Sequence, residues 1–409
     1  MKMTIPLKKL LESVKKSSIG ALTKESQDED RKKIRPTDAC LKISTNKNSV
    51  VFESSSQEAS AFYSIPVGED IVVELDGSFC VEASQYLKML KTIPKDYLIH
   101  VSYEEDKNYG KDMLSTKMVQ PNGKLITTAI SDKSKKRKGR NDTYPVSEFT
   151  KVDYNHNNVL FSMNSKVLAQ CIDKVLFARE LNDLSGVFDK VSIFISNKKL
   201  FFACTDGKRC AIYSVAESEA KVMVDEQKIL VNGELLKAVC ESFEKDEEVK
   251  IIDSEDKEHI ILSSDKIKVR LSTASEEVKQ SFPNFLNLMG LSLPIAIDVV
   301  KSDLLSAVDF LSVYNAEKSI FYVEKGKKEI KIDVTRGGTD PETVIVECNE
   351  IKDSLQNPIA LSNSFTKDGC KKISGDKIKI SFSKDEKKVK IESPNDAGFV
   401  YFMQCMTVN

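Results

Sequence analysis

The sequence predicts an α+β protein of three equivalent domains, each with two helices backed by antiparallel strands. Two observations support this class. A helix followed by strands recurs six times along the 409 residues, and the strand-like segments alternate apolar and polar side chains, which is typical of antiparallel sheets. The length also exceeds what one hydrophobic core usually serves, so several domains are expected.

Three helices with long apolar stripes are expected to belong to three successive domains. Each stripe follows the i, i+3, i+4, i+7 spacing of a helix that packs on one face. The helices start roughly 140 to 160 residues apart, which indicates an internal repeat. The stripes are Leu7, Leu10, Leu11 and Val14; Val167, Leu168, Cys171, Ile172 and Val175; and Leu304, Leu305, Val308 and Leu311.

Three shorter helices, in segments 80–103, 229–254 and 359–383, supply the second half of each domain. Each is followed by a polar turn and then by a strand with period-two alternation. Gly369 argues against the third of these helices, because glycine inside a helix costs about 1 kcal/mol relative to alanine.

The predicted domain boundaries fall in a polar segment near 155 and after the apolar segment that ends near 290. The first two domains also close alike, with an aromatic residue before proline at Tyr144 and at Phe282 and a second apolar anchor shortly afterwards. The predicted domains are 1–155, 156–290 and 291–409.

Charge and cysteine content narrow the class of protein. Lys plus Arg (61) nearly equals Asp plus Glu (62), so any binding of nucleic acid must come from local segregation of charge. Nine cysteines, an odd number, lie mostly in apolar runs, which indicates buried, reduced thiols. Because no secretory leader or membrane-length apolar run is present, a cytoplasmic protein without membrane contact is expected.

The stretch 201–215, FFACTDGKRCAIYSV, predicts two strands around a tight turn. A phosphate-binding P-loop is excluded, because Gly207 and Lys208 are followed by Arg, Cys and a strand instead of Ser or Thr and a helix. A zinc site on Cys204 and Cys210 lacks a second pair of Cys or His ligands. A plain hairpin turn and a surface that binds another protein both remain open.

Three motifs together resemble the bacterial DNA polymerase III beta subunit, the sliding-clamp family. They are CTDGKRCA at 204–211, SFPNFLNLM at 281–289 and YFMQCMTVN at 401–409. The resemblance covers nearly the whole chain and implies a three-domain DNA-clamp fold that closes as a head-to-tail ring homodimer around double-stranded DNA. It also implies a protein without catalysis or cofactor, which tethers the replicative DNA polymerase and is opened by a clamp loader.

The resemblance further implies a cleft that holds short apolar peptides of partner proteins. The sequence departs from the family's pattern at several positions, among them Lys208 for His, Asn287 for a basic residue, and Gln404 with Cys405 for Met-Pro. These departures bear on which partners the cleft would accept. The implied cleft residues are Thr205, Gly207, Lys208, Arg209, Pro283, Leu288, Met403, Gln404, Cys405 and Met406.

Lysines on the predicted helices suggest a sequence-independent contact with DNA. Taken singly, each is typical of a solvated helix face. On helices that share one inner wall, they would contact phosphates and read no base. The resemblance places the dimer interface at Leu125 and at Val313 with Tyr314. The candidate DNA-facing lysines are Lys8, Lys9, Lys15, Lys16, Lys88, Lys91, Lys166, Lys174 and Lys237.

Two other classes of function remain as alternatives. An enzyme finds little support, because His100, His156 and His259 stand outside every catalytic motif that we recognise. The second alternative is a repeat-built scaffold that binds only proteins and encircles no DNA. No role is assigned to the charged segments 22–36 and 131–142, of which the second is most simply a solvated loop.

Overall fold

The structure is a computed structural model of the chain. It describes residues 1–21, 36–106, 111–120, 125–130, 143–181, 186–314, 316–334 and 341–408. This part of the chain forms helices and antiparallel strands, which confirms the α+β prediction. The charged segments at 22–35 and 131–142 lie outside the described residues.

The elements are numbered along the chain. In residues 1–164 they are β1 (Lys2–Pro6), α1 (Leu7–Ser17), β2 (Cys40–Thr45), β3 (Ser49–Ser55), β4 (Ala59–Pro66), β5 (Val72–Leu75), β6 (Gly77–Glu82), α2 (Ala83–Lys91), β7 (Leu98–Asp106), β8 (Lys111–Val119), β9 (Leu125–Ile130), β10 (Thr143–Tyr144) and β11 (Asn158–Asn164). Short 3-10 helices lie at Ser18–Gly20, Pro36–Ala39 and Val146–Glu148.

In residues 165–290 the elements are α3 (Ser165–Leu176), β12 (Lys190–Ser196), β13 (Lys199–Thr205), β14 (Arg209–Ser214), β15 (Ala220–Val222), β16 (Glu226–Asn232), α4 (Gly233–Cys240), β17 (Glu248–Asp253), β18 (His259–Ser263), β19 (Ile267–Ser272), α5 (Glu276–Ser281) and α6 (Phe285–Met289). In residues 291–408 they are β20 (Ile295–Val300), α7 (Lys301–Ser312), β21 (Lys318–Tyr322), β22 (Glu329–Val334), β23 (Glu342–Glu347), β24 (Ile359–Ser362), α8 (Asn363–Lys372), β25 (Lys377–Phe382), β26 (Lys388–Glu392) and β27 (Phe399–Gln404).

The six helices that the hydrophobic spacing predicts are all present, and each begins at the residue after a strand ends. The strand and helix pairs are β1 with α1, β6 with α2, β11 with α3, β16 with α4, β20 with α7 and β24 with α8. Because no loop separates the two elements, the strand fixes the position at which its helix starts. The repeat is therefore a strand, a helix and the strands that follow.

The predicted helix stripes form part of the core. In α1, Leu7, Leu10 and Val14 are fully buried, while Leu11 is half-buried. The third short helix, α8, runs through Gly369 without interruption, so the glycine does not end it. Gly369 is itself buried within that helix, which points to a packing reason for its presence.

The described chain divides into two compact units, Met1–Lys166 with Glu234–Thr273 and Val167–Gly233 with Ala274–Asn409. In the first unit, one sheet has the strand order β5-β1-β7-β8-β9 and a second includes the order β10-β6-β2-β3-β4-β19-β18-β17-β11. The pairing of β4 with β19 continues this second sheet across the predicted boundary near 155. The division into three domains stays a prediction.

The second unit contains an eight-stranded sheet with the order β16-β12-β13-β14-β27-β26-β25-β20 and a four-stranded sheet with the order β23-β22-β21-β24. At the centre of the larger sheet, β14 pairs antiparallel with the C-terminal strand β27, with Arg209 opposite Met403 and Tyr213 opposite Phe399. This pairing brings the turn at 205–209 and the C-terminal tail to the same place.

Candidate functional site

The turn between β13 and β14 is built by its own side chains. The Thr205 hydroxyl donates to the Arg209 carbonyl at 2.6 Å and accepts from the Gly207 amide at 3.0 Å. The Asp206 carboxylate accepts from the Lys208 and Arg209 amides. Gly207 has φ +84°, a left-handed conformation that favours glycine. Thr205 is buried, and its hydroxyl shapes the turn. A hairpin turn alone is therefore enough to explain why threonine occupies this position.

Arg209 stabilises the place where the turn meets α8. Its guanidinium donates from Nε to Asp206 at 2.9 Å and from Nη1 to Asp368 at 2.7 Å. The same group lies over the Phe365 ring, 4.4 Å from its centroid, and 5.7 Å from that of Phe177. The Arg209 side chain is 12% exposed, so its role is mainly to hold these elements together.

The tail is fastened to the turn by backbone and side-chain hydrogen bonds. The Gln404 amide donates to the Lys208 carbonyl at 2.9 Å, and Gln404 Nε2 donates to the Gly207 carbonyl at 3.0 Å. Beyond it, the Met406 amide donates to the Ala360 carbonyl of β24. Met403 is buried at 2% exposure beneath this surface.

A pocket of about 690 Å³ lies beside the turn and the tail. It contains four of the predicted cleft residues, which the structure thereby brings together. Residues at and after the C-terminal end of α7, and residues around the start of α8, complete the lining. Its lining is Lys208, Ser312, Ala316, Glu317, Ser362, Asn363, Ser364, Phe365, Lys367, Gln404, Cys405, Met406 and Thr407.

Most of the residues that line this pocket are polar. Lys208 is exposed, whereas the Lys367 ammonium lies 3.1 Å from the Asp309 carboxylate. Burial, with smaller effects from Asp385 and Glu386, raises the pKa of the Cys405 thiol to about 12, so this thiol stays protonated at neutral pH. Phe365 and Met406 are the largest apolar side chains in the lining.

The Phe-Pro segment does not line this pocket. Leu288 packs against a buried cluster that includes Phe285 and Phe402, and Pro283 lines a second, separate pocket. Apolar packing holds the segment on the sheet, because Phe282 and Phe285 meet edge to face with centroids 5.4 Å apart. The predicted cleft residues therefore divide between two pockets and the core.

Six of the predicted DNA-facing lysines are exposed and form no ion pair with another described residue. Three others have intramolecular partners. Lys9 bonds Asp70 at 2.8 Å, and Lys16 is 11% exposed and lies 2.8 Å from Glu12. Lys174, 19% exposed, lies 2.5 Å from Asp396. The six exposed lysines that form no ion pair with another described residue are Lys8, Lys15, Lys88, Lys91, Lys166 and Lys237.

An exposed apolar patch surrounds the end of α7. Phe310 is 51% exposed and Val313 75%. The Tyr314 ring packs edge to face against Phe310, with centroids 5.8 Å apart. In the first unit, Leu125 begins the edge strand β9, but its side chain lies outside the described part of the chain.

Metal binding gains no support at the cysteines of the turn. Burial raises the pKa of both the Cys204 and Cys210 thiols, which disfavours the thiolates that zinc requires. Asp256, Glu258 and His259 form a cluster elsewhere. The Arg270 guanidinium, however, already donates a hydrogen bond to the Asp256 carboxylate at 2.9 Å.

Among the described residues, no helix has the length and apolar character needed to span a membrane.

Comparison with known proteins identifies the architecture. No protein-family model matches the sequence, and no curated protein matches it. The structure resembles a DNA polymerase sliding clamp from Bacillus subtilis, with 17% identity, a TM-score of 0.79 and 100% of both chains covered. The fold is that of a bacterial sliding clamp. A sliding clamp from Pseudomonas aeruginosa bound to griselimycin (17%, 0.79) and a DNA polymerase III beta subunit from Thermotoga maritima (16%, 0.78) match over the same full length.

In this clamp fold, the motifs that carried the resemblance have clear structural roles. The CTDGKRCA motif forms the turn, and YFMQCMTVN forms β27 and the tail that follows it. Phe365, Phe177 and Lys367 were not predicted as site residues. Their positions depend on contacts between segments far apart in sequence, and no local pattern marks them.

Proposed function

We propose that the protein is a DNA sliding clamp, a ring-shaped homodimer that encircles duplex DNA in the cytoplasm and tethers a replicative polymerase. The observation that carries this proposal is the likeness to bacterial sliding clamps along 100% of both chains. The role is non-catalytic, and a separate loader opens the ring. We expect its partner choice to differ from that of other clamps, because Lys208, Asn287 and Gln404 with Cys405 depart from the family's pattern.

The exposed lysines support a contact with the phosphate backbone. Lys8 and Lys15 lie on α1, and Lys88 and Lys91 lie on α2, which packs against α1 in the same unit. Lysine side chains of this kind contribute electrostatic, sequence-independent affinity that falls steeply with salt. Binding that is weak and reads no base suits a ring that moves along DNA.

The pocket beside the tail supports docking of a short peptide from the polymerase and other DNA-processing proteins. Phe365 and Met406 supply apolar contacts, and methionine can repack around different ligands. Exposed Lys208 adds a positive charge at the turn. A peptide from the cognate polymerase should therefore bind more tightly than a generic bacterial clamp-binding peptide.

Retention on circular DNA tests the proposal. The protein, loaded by its cognate loader onto a nicked circular plasmid, should stay bound through gel filtration and dissociate when the plasmid is linearised. Retention that does not depend on circularity would indicate ordinary DNA binding. Failure to bind either form, with peptide binding intact, would favour the protein-binding scaffold.

A further inference from the structure

A second pocket, of about 380 Å³, lies on the face of β12 and β16 that carries Phe194. Two phenylalanines form its walls. Phe194 and Phe285 are both buried, and their rings lie nearly parallel, with centroids 5.8 Å apart and an angle of 26°. No residue lines both this pocket and the one beside the tail. The two are therefore separate sites within the second unit.

Ser192 is among the residues that line this pocket. The residue lies two positions before Phe194 on β12, so both side chains lie on the same face of the strand. Ser192 is 0% exposed, and its Oγ has no hydrogen-bond partner among the described residues. A buried hydroxyl without a partner is unfavourable, and a ligand that supplies one removes that cost.

The charged residues around the pocket are already engaged. Lys228 Nζ donates to the backbone carbonyls of Lys279 at 2.7 Å and Phe282 at 3.3 Å. The Glu226 carboxylate accepts from Ser196 Oγ at 3.1 Å and from the Asn197 amide at 3.0 Å. The pocket therefore has one positive and one negative side chain, both held by hydrogen bonds to the protein; because a ligand of either charge would meet one like charge, the pocket favours a neutral ligand.

We propose that this pocket binds a small neutral aromatic molecule with one hydroxyl or amide group, which hydrogen-bonds to Ser192. The volume lies near the lower end of the usual range for ligand sites, which suits a single ring. Phe194 and Phe285 contact the ring, and Ser192 selects the polar group. This inference goes beyond the proposed clamp function and does not depend on ring formation.

Phenol and toluene are matched probes, because they differ by one hydroxyl group. The full-length protein is titrated with each probe, and binding is monitored by saturation-transfer difference NMR. Phenol should bind about fivefold more tightly than toluene, which is the difference in affinity that one neutral hydrogen bond typically contributes. Ser192→Ala should abolish this preference and leave toluene binding unchanged. Ser196→Ala is the control, since that hydroxyl is at the rim and already bonds Glu226; it should retain the preference.

Three results would overturn the proposal. The first is the absence of saturable binding by both probes, with Ser192 bonded only to water in a crystal soaked with phenol. The second is a phenol preference that survives Ser192→Ala. The third is a soaked crystal in which phenol occupies another site.

Discussion

Gly369 in α8 lies directly against the ring of Tyr401 in β27. A Cβ atom at position 369 would come within 2.3 Å of Cδ1 and 2.4 Å of Cε1 of that ring. We expect Gly369→Ala to lower the free energy of unfolding by about 2 kcal/mol, because so close a contact puts the overpacking cost near the upper end of its usual range, about 3 kcal/mol, and the gain in helix propensity offsets only about 1 kcal/mol. Urea denaturation measures the change. Lys371→Ala, at an exposed position of the same helix, should leave stability unchanged, and a Gly369→Ala variant as stable as the parent would contradict the packing argument.

Arg209 and Lys208 are neighbours in the turn with different expected roles. Arg209→Ala leaves the Asp206 and Asp368 carboxylates without their guanidinium and removes the stack on Phe365, so we expect a loss of about 1–3 kcal/mol in unfolding free energy. Lys208→Ala should leave the melting temperature unchanged and weaken peptide binding. Thermal melts and fluorescence anisotropy separate the two effects. Equal melting temperatures for the two variants would remove the structural role of Arg209.

Deletion of residues 405–409 tests the role of the tail. β27 ends at Gln404, so its pairing with β14 and β26 remains. The deletion removes two backbone hydrogen bonds, from the Cys405 amide to the Lys387 carbonyl and from the Met406 amide to the Ala360 carbonyl. It also removes part of the pocket lining. The truncated protein should stay folded and fail to bind the cognate polymerase peptide by anisotropy. Equal affinity in the truncated and full-length proteins would exclude the tail from the peptide site.

The exposed patch at the end of α7 should mediate self-association. Phe310→Asp and Val313→Asp place a charge where a dimer would bury apolar surface, so each should shift the protein toward monomer in analytical ultracentrifugation at micromolar concentration. Ser302→Asp, at an exposed position near the start of the same helix and about two turns from Phe310, is the matched control and should leave the dimer intact. A parent protein that is only monomeric would refute the ring.

Exposed lysines and lysines with intramolecular partners should have different functions, the first in DNA retention and the second in stability. Lys8→Glu, Lys15→Glu, Lys88→Glu and Lys91→Glu in combination should reduce retention on circular DNA without a change in melting temperature, because these side chains are exposed. Lys174→Ala should instead lower the melting temperature. Its ammonium donates to the Lys372 carbonyl at 2.7 Å, Ser374 Oγ at 2.9 Å and Asp396 at 2.5 Å. Unimpaired retention by the fourfold variant would place the DNA path elsewhere.

The local parts of the structure could be predicted from sequence. Leu7, Leu10 and Val14 mark one helix face because burial follows the helical period. The turn at Gly207 could be predicted because its hydrogen bonds join residues at most four positions apart. Such features depend on neighbours that the sequence places side by side.

The distant parts could not be predicted in this way. Lys174 has the sequence context of a solvated lysine, but its carboxylate partner Asp396 lies 222 positions further along the chain. Arg209 meets Asp368 across 159 positions. The unpartnered hydroxyl of Ser192 depends on how Phe285 packs over β12. Only the folded chain determines which lysines stay exposed and which form ion pairs with distant residues.

The pairing of β14 with β27 also has a consequence for synthesis on the ribosome. The strand that covers β14 is the last strand in the described chain, so nearly two hundred residues separate the partners. Until β27 has been synthesised, β14 presents an unpaired edge with the apolar residues Ala211 and Ile212, which is a site for aggregation. Nascent chains of this protein should therefore depend on a holdase chaperone until β27 has left the ribosome.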